Sequence, residues 1–520
     1  MMRSKQTNQN HGGIFKSDHL HTKGPIFYSI ILNNRKLTIF FNIFGTCMHS
    51  WNIHPTDNMQ ISKTTTIIAI VAVLAIAVAG ILILNNGGQG SNNDDTDGKY
   101  TEDIEYTFEY NNEIRLAIFG NVNGDDHIDD GDLKLLESIL KGETTFDKKK
   151  NCFADANADG RINSKDMEVL KNIIAGKECK MSYWDCTKSI ASIDYPLKGK
   201  IGTHHMYAID ALIILGLYND VVATSHQTFQ NSISTDGLRY PGMGKTIVDV
   251  GNPWENCEAA VAAGVNIWIE TGSSASRDYT TYKTIANAAG LNLQVIHLYV
   301  TTYNVDATEI YGSILMLGTM FKCEDKAQKY VDWVDGVVEY IDVSKKNLDK
   351  DRTFLTPMGT DNPGKISLDT THSNGNMMGD VYTISLTGMK SVNTVVESGC
   401  PAISLEQIYN LKPDVIVIIM FQTSDKSVET IQSEFDVYAD IYKQTDAYKN
   451  GNVYGINFYN IASCAGASEL VLLSSYIWPS VISEEKGWEY LQYYYDNFTM
   501  YDHVDVSKMG NALPFKMSKA

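Results

Sequence analysis

The chain has 520 residues, of which 43% are hydrophobic and 20% charged, with a formal net charge of −19. That apolar share fills several cores and excludes a wholly disordered chain, and the length leaves room for two to four domains. With 62 acidic against 43 basic residues, nucleic-acid binding through a broad basic surface is also excluded.

Residues 1–58 show no sustained period, and their apolar stretch Ile26–Phe44 is interrupted by Asn33, Asn34, Arg35 and Lys36. Met59 has the setting of a start for a membrane-targeted chain, so the first 58 residues are expected to be a doubtful leader. Ile67–Leu84 is an uncharged apolar run of 18 residues, close to the ~20 that span a bilayer as a helix, and it has no polar face. Lys63 precedes it and Asp94, Asp95 and Asp97 follow. The positive-inside rule then places the N-terminus in the cytoplasm and the bulk of the chain outside, on a single-pass anchor. A cleaved secretory signal is the alternative; its apolar core would exceed the usual ~7–15 residues, and it leads to the same compartment. Asn85–Gly98, rich in Gly, Asn and Asp, has nothing to bury and reads as a spacer.

Two twelve-residue loops follow. Asn121, Asn123, Asp125, His127, Asp129 and Asp132 occupy positions 1, 3, 5, 7, 9 and 12 of the first. Asp155, Asn157, Asp159, Arg161, Asn163 and Asp166 occupy the same positions of the second. Such alternation lets an extended loop wrap one Ca²⁺ with six to eight oxygens, the seventh position acting through its main-chain carbonyl. Ile128 and Ile162 stand at position 8, and each loop leads into an amphipathic helix that stops at Gly142 or Gly176. The pair resembles a dockerin module over Leu116–Lys177, which implies two calcium ions and a cohesin-type partner. It departs from the pattern in Asn121 at the first position, in Asp126 where a glycine is usual, and in a repeat of 34 residues. The first loop is therefore expected to bind Ca²⁺ more weakly than the second. A purely structural calcium spacer is the other reading of this segment.

From Asp185 onward strands alternate with helical periods, which implies α/β lobes with parallel sheets. The expected strands are Ser189–Ile193, Val221–Ser225, Val265–Glu270, Leu293–Leu298, Arg352–Pro357, Val415–Met420 and Val453–Ile456. Between the lobes, Asp306 and Glu309 can open a helix whose apolar period runs to Ile341. Unbroken, its ~36 residues would rise ~54 Å. The expected layout is a linker over 85–114, the loop module over 115–178, a first lobe over 185–304, a spine helix over 305–346, a second lobe over 351–500 and a tail over 501–520.

Val250-Gly251 through Asn256 and Glu258, Ile403-Ser404-Leu405-Glu406 through Lys412-Pro413-Asp414-Val415, and Tyr448-Lys449-Asn450-Gly451-Asn452-Val453-Tyr454 carry a second resemblance. They are similar to segments of class III, helical-spine substrate-binding proteins of ABC importers for cobalamin, haem and ferric siderophores. The resemblance covers about Ser189–Tyr494. It implies a binder without turnover, a metal chelate or tetrapyrrole as guest, and an ABC permease docked by one exposed glutamate per lobe. These glutamates map onto Glu258 and Glu406.

The guest is expected between the lobes, at the carboxyl ends of the strands. Candidates there are His204, His205, Tyr207, His226, Arg239, Tyr240, Met243, Trp254 and Arg277 in the first lobe, and His372, Phe421 and Tyr459 in the second. Aromatic faces suit a flat macrocycle, histidine a metal, and arginine a carboxylate. Gly202-Thr203-His204-His205-Met206-Tyr207 departs from the family's usual first loop, which leaves the guest unassigned. Cys152 and Cys179 bracket the second loop and its helix, with Cys186 as a competing disulfide partner. No GxSxG, HExxH or phosphate-loop lysine motif is present. The rival reading, a dockerin-bearing glycan-active enzyme, requires a pair of catalytic carboxylates.

Overall fold

The computed structural model describes residues 27–33, 36–42, 49–53, 108, 113–234, 239–271, 275–300, 307–348, 351–368, 379–392, 401–421 and 426–518, with some side chains in the helices and in the first three strands left out. Contacts divide the chain into two units, Met1–Asp94 and Asp95–Ala520.

In the first unit β1 (Phe27–Asn33) pairs antiparallel with β2 (Lys36–Asn42), and β2 with β3 (His49–Ile53). Asn33 lies opposite Lys36, so β1 and β2 pair across the polar interruption noted in the sequence. The expected anchor Ile67–Leu84 lies outside the described residues. No helix among those described is long and apolar enough to cross a membrane.

The second unit opens with the loop module. Its helices α1 (Asp130–Lys141) and α2 (Ser164–Ile174) begin where Asp129 and Asn163 cap the first turn, while Asp132 and Asp166 reach back to the cap backbone. Positions 9 and 12 of each loop thus form a capping box. Val122, Leu136, Ile139, Ile162 and Leu170 make a small core between the helices. An antiparallel hairpin follows, β4 (Cys179–Trp184) with β5 (Ile190–Tyr195). Its second strand was expected in a parallel sheet; the apolar alternation that revealed it does not specify its partner. No disulfide joins Cys152 to Cys179 or Cys186.

The first lobe contains β6 (Lys200–Thr203), α3 (Met206–Ile214), β7 (Val221–Thr224), α4 (His226–Ser234), β8 (Val248–Asp249), α5 (Glu258–Ala262), β9 (Val265–Thr271), α6 (Ala275–Ala288) and β10 (Gln294–Leu298). Its five strands are parallel in the order β10-β9-β6-β7-β8. The central strand β6 has Gly202 where a Cβ would lie 2.5 Å from the Trp268 ring, so only glycine lets β6 and β9 pair there.

The connection to the second lobe is two helices, α7 (Ala307–Phe321) and α8 (Glu324–Lys345), and not the single helix expected. Lys322 takes a left-handed φ of 57° between them, which ends α7. The helices then close on each other at Gly318, where an added Cβ would lie 2.6 Å from that of Ala327. The spine proper is α8, whose 22 residues rise about 33 Å.

The second lobe comprises β11 (Thr353–Leu355), α9 (Gly379–Ser385), β12 (Lys390–Ser391), α10 (Leu405–Leu411), β13 (Val415–Met420), α11 (Val428–Asp440), α12 (Asp446–Lys449), β14 (Val453–Asn457), α13 (Phe458–Ile461), α14 (Leu470–Ile477), α15 (Glu484–Phe498) and β15 (Phe515–Lys516). The order is β12-β11-β13-β14-β15, parallel except for β15. Every residue of β13 is buried, as a central parallel strand requires. The expected tail therefore returns into the sheet as its antiparallel edge. Helix α15 clasps the spine: Trp333 lies against Tyr494 and Tyr330 against Phe498, ring centroids 5.3 and 5.4 Å apart.

Candidate ligand edge, docking glutamates and calcium loops

His204 follows β6 at the carboxyl end of the first sheet. Its amide donates to the Ile269 carbonyl at 2.9 Å, and its own carbonyl accepts from Ser225 and, at 2.8 Å, from Thr228. Its Nδ1 pairs with the fully buried Glu270, whose other oxygen accepts the Trp268 indole N–H at 2.9 Å. The Trp254 ring lies 4.6 Å from that of His204, and His205 stacks on the buried Tyr207 at 4.3 Å. His204 is thus clamped on several sides, and only 4% of it is exposed. His226 differs. Its Nδ1 pairs with Asp249 at 2.6 Å and its side chain is 59% exposed, the arrangement in which a carboxylate orients a histidine for a metal.

Arg239 and Tyr240 stand elsewhere. The Arg239 guanidinium grips Asp210 of α3 at 2.6 and 3.4 Å, and the Tyr240 hydroxyl donates to the same carboxylate at 2.8 Å. Burial would lower the Arg239 pKa, but the Asp210 charge outweighs it and holds the guanidinium protonated; burial pushes the Tyr240 phenol up. With Asn460, Tyr494 and Tyr501, Arg239 and Asp210 line a cavity of about 20 Å³, room for one water. The expected ligand contacts of Arg239 and Tyr240 are therefore corrected: both are spent on packing between α3, α15 and the second lobe. Met243 is half-buried in the turn that starts at Tyr240. The Arg277 side chain and His372 lie outside the described residues.

In the second lobe Phe421 directly follows β13 and is 50% exposed, with its ring 4.7 Å from Phe458 and 6.3 Å from Tyr459, which directly follow β14. These three rings form an aromatic platform on the carboxyl edge of the sheet. The sequence reading missed Glu270, Asp210 and Glu469. Glu270 had a signal, being the one acid in the apolar strand Val265–Thr271. Glu469 had none. It is buried, accepts from Asn460 at 2.5 Å, and burial raises its pKa to about 8.

Glu258 is the first residue of α5 and Glu406 the second of α10; both are exposed, and neither has an ion-pair partner among the described residues. The helix dipole favours an acid at each place. The α10 start is fixed by Ser404, whose hydroxyl accepts the Gln407 amide while the Gln407 side chain accepts the Ser404 amide. Each helix runs into a strand of a parallel sheet, so each glutamate belongs to the carboxyl edge of its lobe.

The second loop fits a hard cation. Asp155 accepts the amides of Asp159 and Gly160, and Asp166 those of Asn157 and Asn163. Burial raises the Asp166 pKa to about 7, with the Asp155 carboxylate adding to the effect, and a cation relieves that repulsion. Among the described residues no three acidic, histidine or cysteine side chains converge on one point; the donor set also draws on Asn157 and Asn163. The first loop fits less well. Asn121 turns its amide N–H toward the carbonyls of Leu116 and Asp125, and Asp126 is held by Arg115.

Residues 120–175 match the dockerin type I domain and residues 280–459 the periplasmic binding protein family. No curated protein matches the chain. Among solved structures, the TroA-like periplasmic binding protein FepB from Veillonella parvula is 14% identical, with a TM-score of 0.51 over 65% of this chain and 99% of that one. A periplasmic haem-binding protein from Pseudomonas aeruginosa is 16% identical, with a TM-score of 0.40 over 55% of this chain and 94% of that one. IsdE of S. aureus, complexed with haem, is 19% identical, with a TM-score of 0.39 over 54% of this chain and 99% of that one. The chain thus carries a stretch that matches the dockerin type I domain, followed by one that matches the periplasmic binding protein family, and shares the fold of the Veillonella parvula protein.

Proposed function

We propose that the chain is the substrate-binding component of an ABC importer. In this reading it is tethered outside the membrane through Ile67–Leu84, captures a ferric siderophore, haem or cobalamin, and delivers it to a permease without turnover. The observation that carries the reading is the pair Glu258 and Glu406, two exposed acids at the starts of corresponding helices, one on the carboxyl edge of each lobe. Such charges steer and orient docking onto a basic partner more than they tighten it. The guest stacks on Phe421, Phe458 and Tyr459, and the oriented, exposed His226 ligates its metal. The dockerin-type domain holds Ca²⁺ chiefly in its second loop, and a cohesin-type protein is its candidate partner. Replacing Glu258 and Glu406 with alanine together abolishes uptake in cells while the guest affinity of the purified protein is unchanged. Loss of affinity in the double variant would remove the docking role.

A further inference from the structure

The dockerin-type domain is built into the binding region. Its own core is small, whereas Leu116, Ile118, Phe119, Phe153 and Ile173 belong to the apolar core of the lobes and spine. Residues 117–119 meet β4 in a single antiparallel bridge: Ile118 bridges to Tyr183, the Trp184 amide donates to the Ala117 carbonyl at 2.9 Å, and the Phe119 amide to the Ser182 carbonyl at 3.0 Å. The hairpin is in turn stitched to β10. Asp194 donates its amide to the Gln294 side chain at 2.7 Å, and the His297 amide reaches the Tyr183 hydroxyl at 3.3 Å.

Both ends of the second calcium loop are fastened to this frame. Phe153, two residues before Asp155, accepts the Gly120 amide at 2.7 Å and packs edge-on against Phe119 at 5.3 Å. After the loop, α2 ends with the Ile173 carbonyl accepting the buried Tyr195 hydroxyl at 3.0 Å. Gly176, at φ 62°, then lies so close to Lys322, at the corner between α7 and α8, that any side chain there would meet it. The irregular residue of the first loop has a use of the same kind. Asp126 pairs with Arg115, whose guanidinium also forks onto Asp335 of the spine at 2.8 and 2.9 Å. An aspartate in place of the usual turn glycine is here an anchor to α8 and not a calcium ligand.

We propose that this domain is an intramolecular brace, in which Ca²⁺ in the second loop orders the hairpin, the first lobe and the spine together with the domain itself. The proposal rests on the reading that the second loop binds calcium. A cation that binds only the ordered loop stabilises everything that unfolds with it, and the contacts above make the spine part of that unit.

The test compares the calcium-free and calcium-loaded full-length protein in detergent, with calcium binding measured by titration calorimetry and order by amide hydrogen exchange. Calcium is expected to slow exchange by about tenfold or more in 179–195 and 324–345 as well as in 155–174. The double substitution Tyr195→Phe and Asp335→Asn, which leaves both loops intact, is expected to keep calcium binding and lose most of the slowing in 324–345. Calcium binding that slows exchange in 155–174 alone overturns the brace while leaving the calcium reading in place. Absence of calcium binding overturns both.

Discussion

Removing the Asp210 carboxylate leaves the Arg239 guanidinium buried with no counter-charge and takes the partner from the Tyr240 hydroxyl. Breaking a buried pair on one side costs about 3–5 kcal/mol, so Asp210→Ala is expected to lower stability by about that amount in urea unfolding. A loss within about 1 kcal/mol, the range of exposed pairs, would mean that Arg239 is free to face the guest after all. Glu469 gives the molecule a pH dependence. Its pKa rises from 4.5 to about 8 on folding, so between those values the folded state holds a proton that the unfolded state has lost. Its contribution is full below pH 4.5 and drains away as pH rises through 8, by up to about 1.4 kcal/mol per pH unit. Burial lowers His297 from 6.5 to about 4, which acts in the opposite sense between pH 4 and 6.5. Burial also raises Asp166 to about 7, so the window from 7 to 8, above both groups, is the clean one for Glu469. Glu469→Gln should flatten the fall of stability across it, measured by denaturant midpoints with calcium held constant. An unchanged slope would place Glu469 in contact with solvent.

At the scale of elements, the corner between α7 and α8 was the least legible feature. The apolar period runs unbroken through Phe321, Lys322 and Cys323, and the left-handed residue is a lysine where a glycine would have announced the stop. Gly318 reads as a weak helix residue in the sequence; in three dimensions it is the seat of Ala327. Gly318→Ala should cost about 1–3 kcal/mol by overpacking, visible as a lowered thermal midpoint. A neutral or stabilising result would show that the two helices do not meet there. The strands were legible in proportion to their apolar runs: Val415–Met420 stands where it was expected, whereas four-residue β6, with its lysine and glycine, had no period to show. The paired twelve-residue loops were legible as elements because each runs into an amphipathic helix capped by its ninth and twelfth positions. Arg239 and Tyr240 were misread because their partner Asp210 lies 29 and 30 residues away in sequence, beyond any local pattern.

The second unit joins two parallel-sheet lobes through the half-buried spine helix and fastens the paired-loop domain to the same frame. The carboxyl edges of the two sheets supply an oriented histidine, an aromatic cluster with Phe421 exposed, and two exposed glutamates. An account built on those edges demands a guest and no reaction. The most direct measurement is native mass spectrometry with absorbance spectroscopy of the full-length protein after incubation with cobalamin, haem and ferric siderophores, alongside His226→Ala. The account predicts a one-to-one complex with one of these guests, and for His226→Ala a weaker complex with a shifted absorbance band. Failure to retain any of them, together with turnover of a glycan, would contradict it.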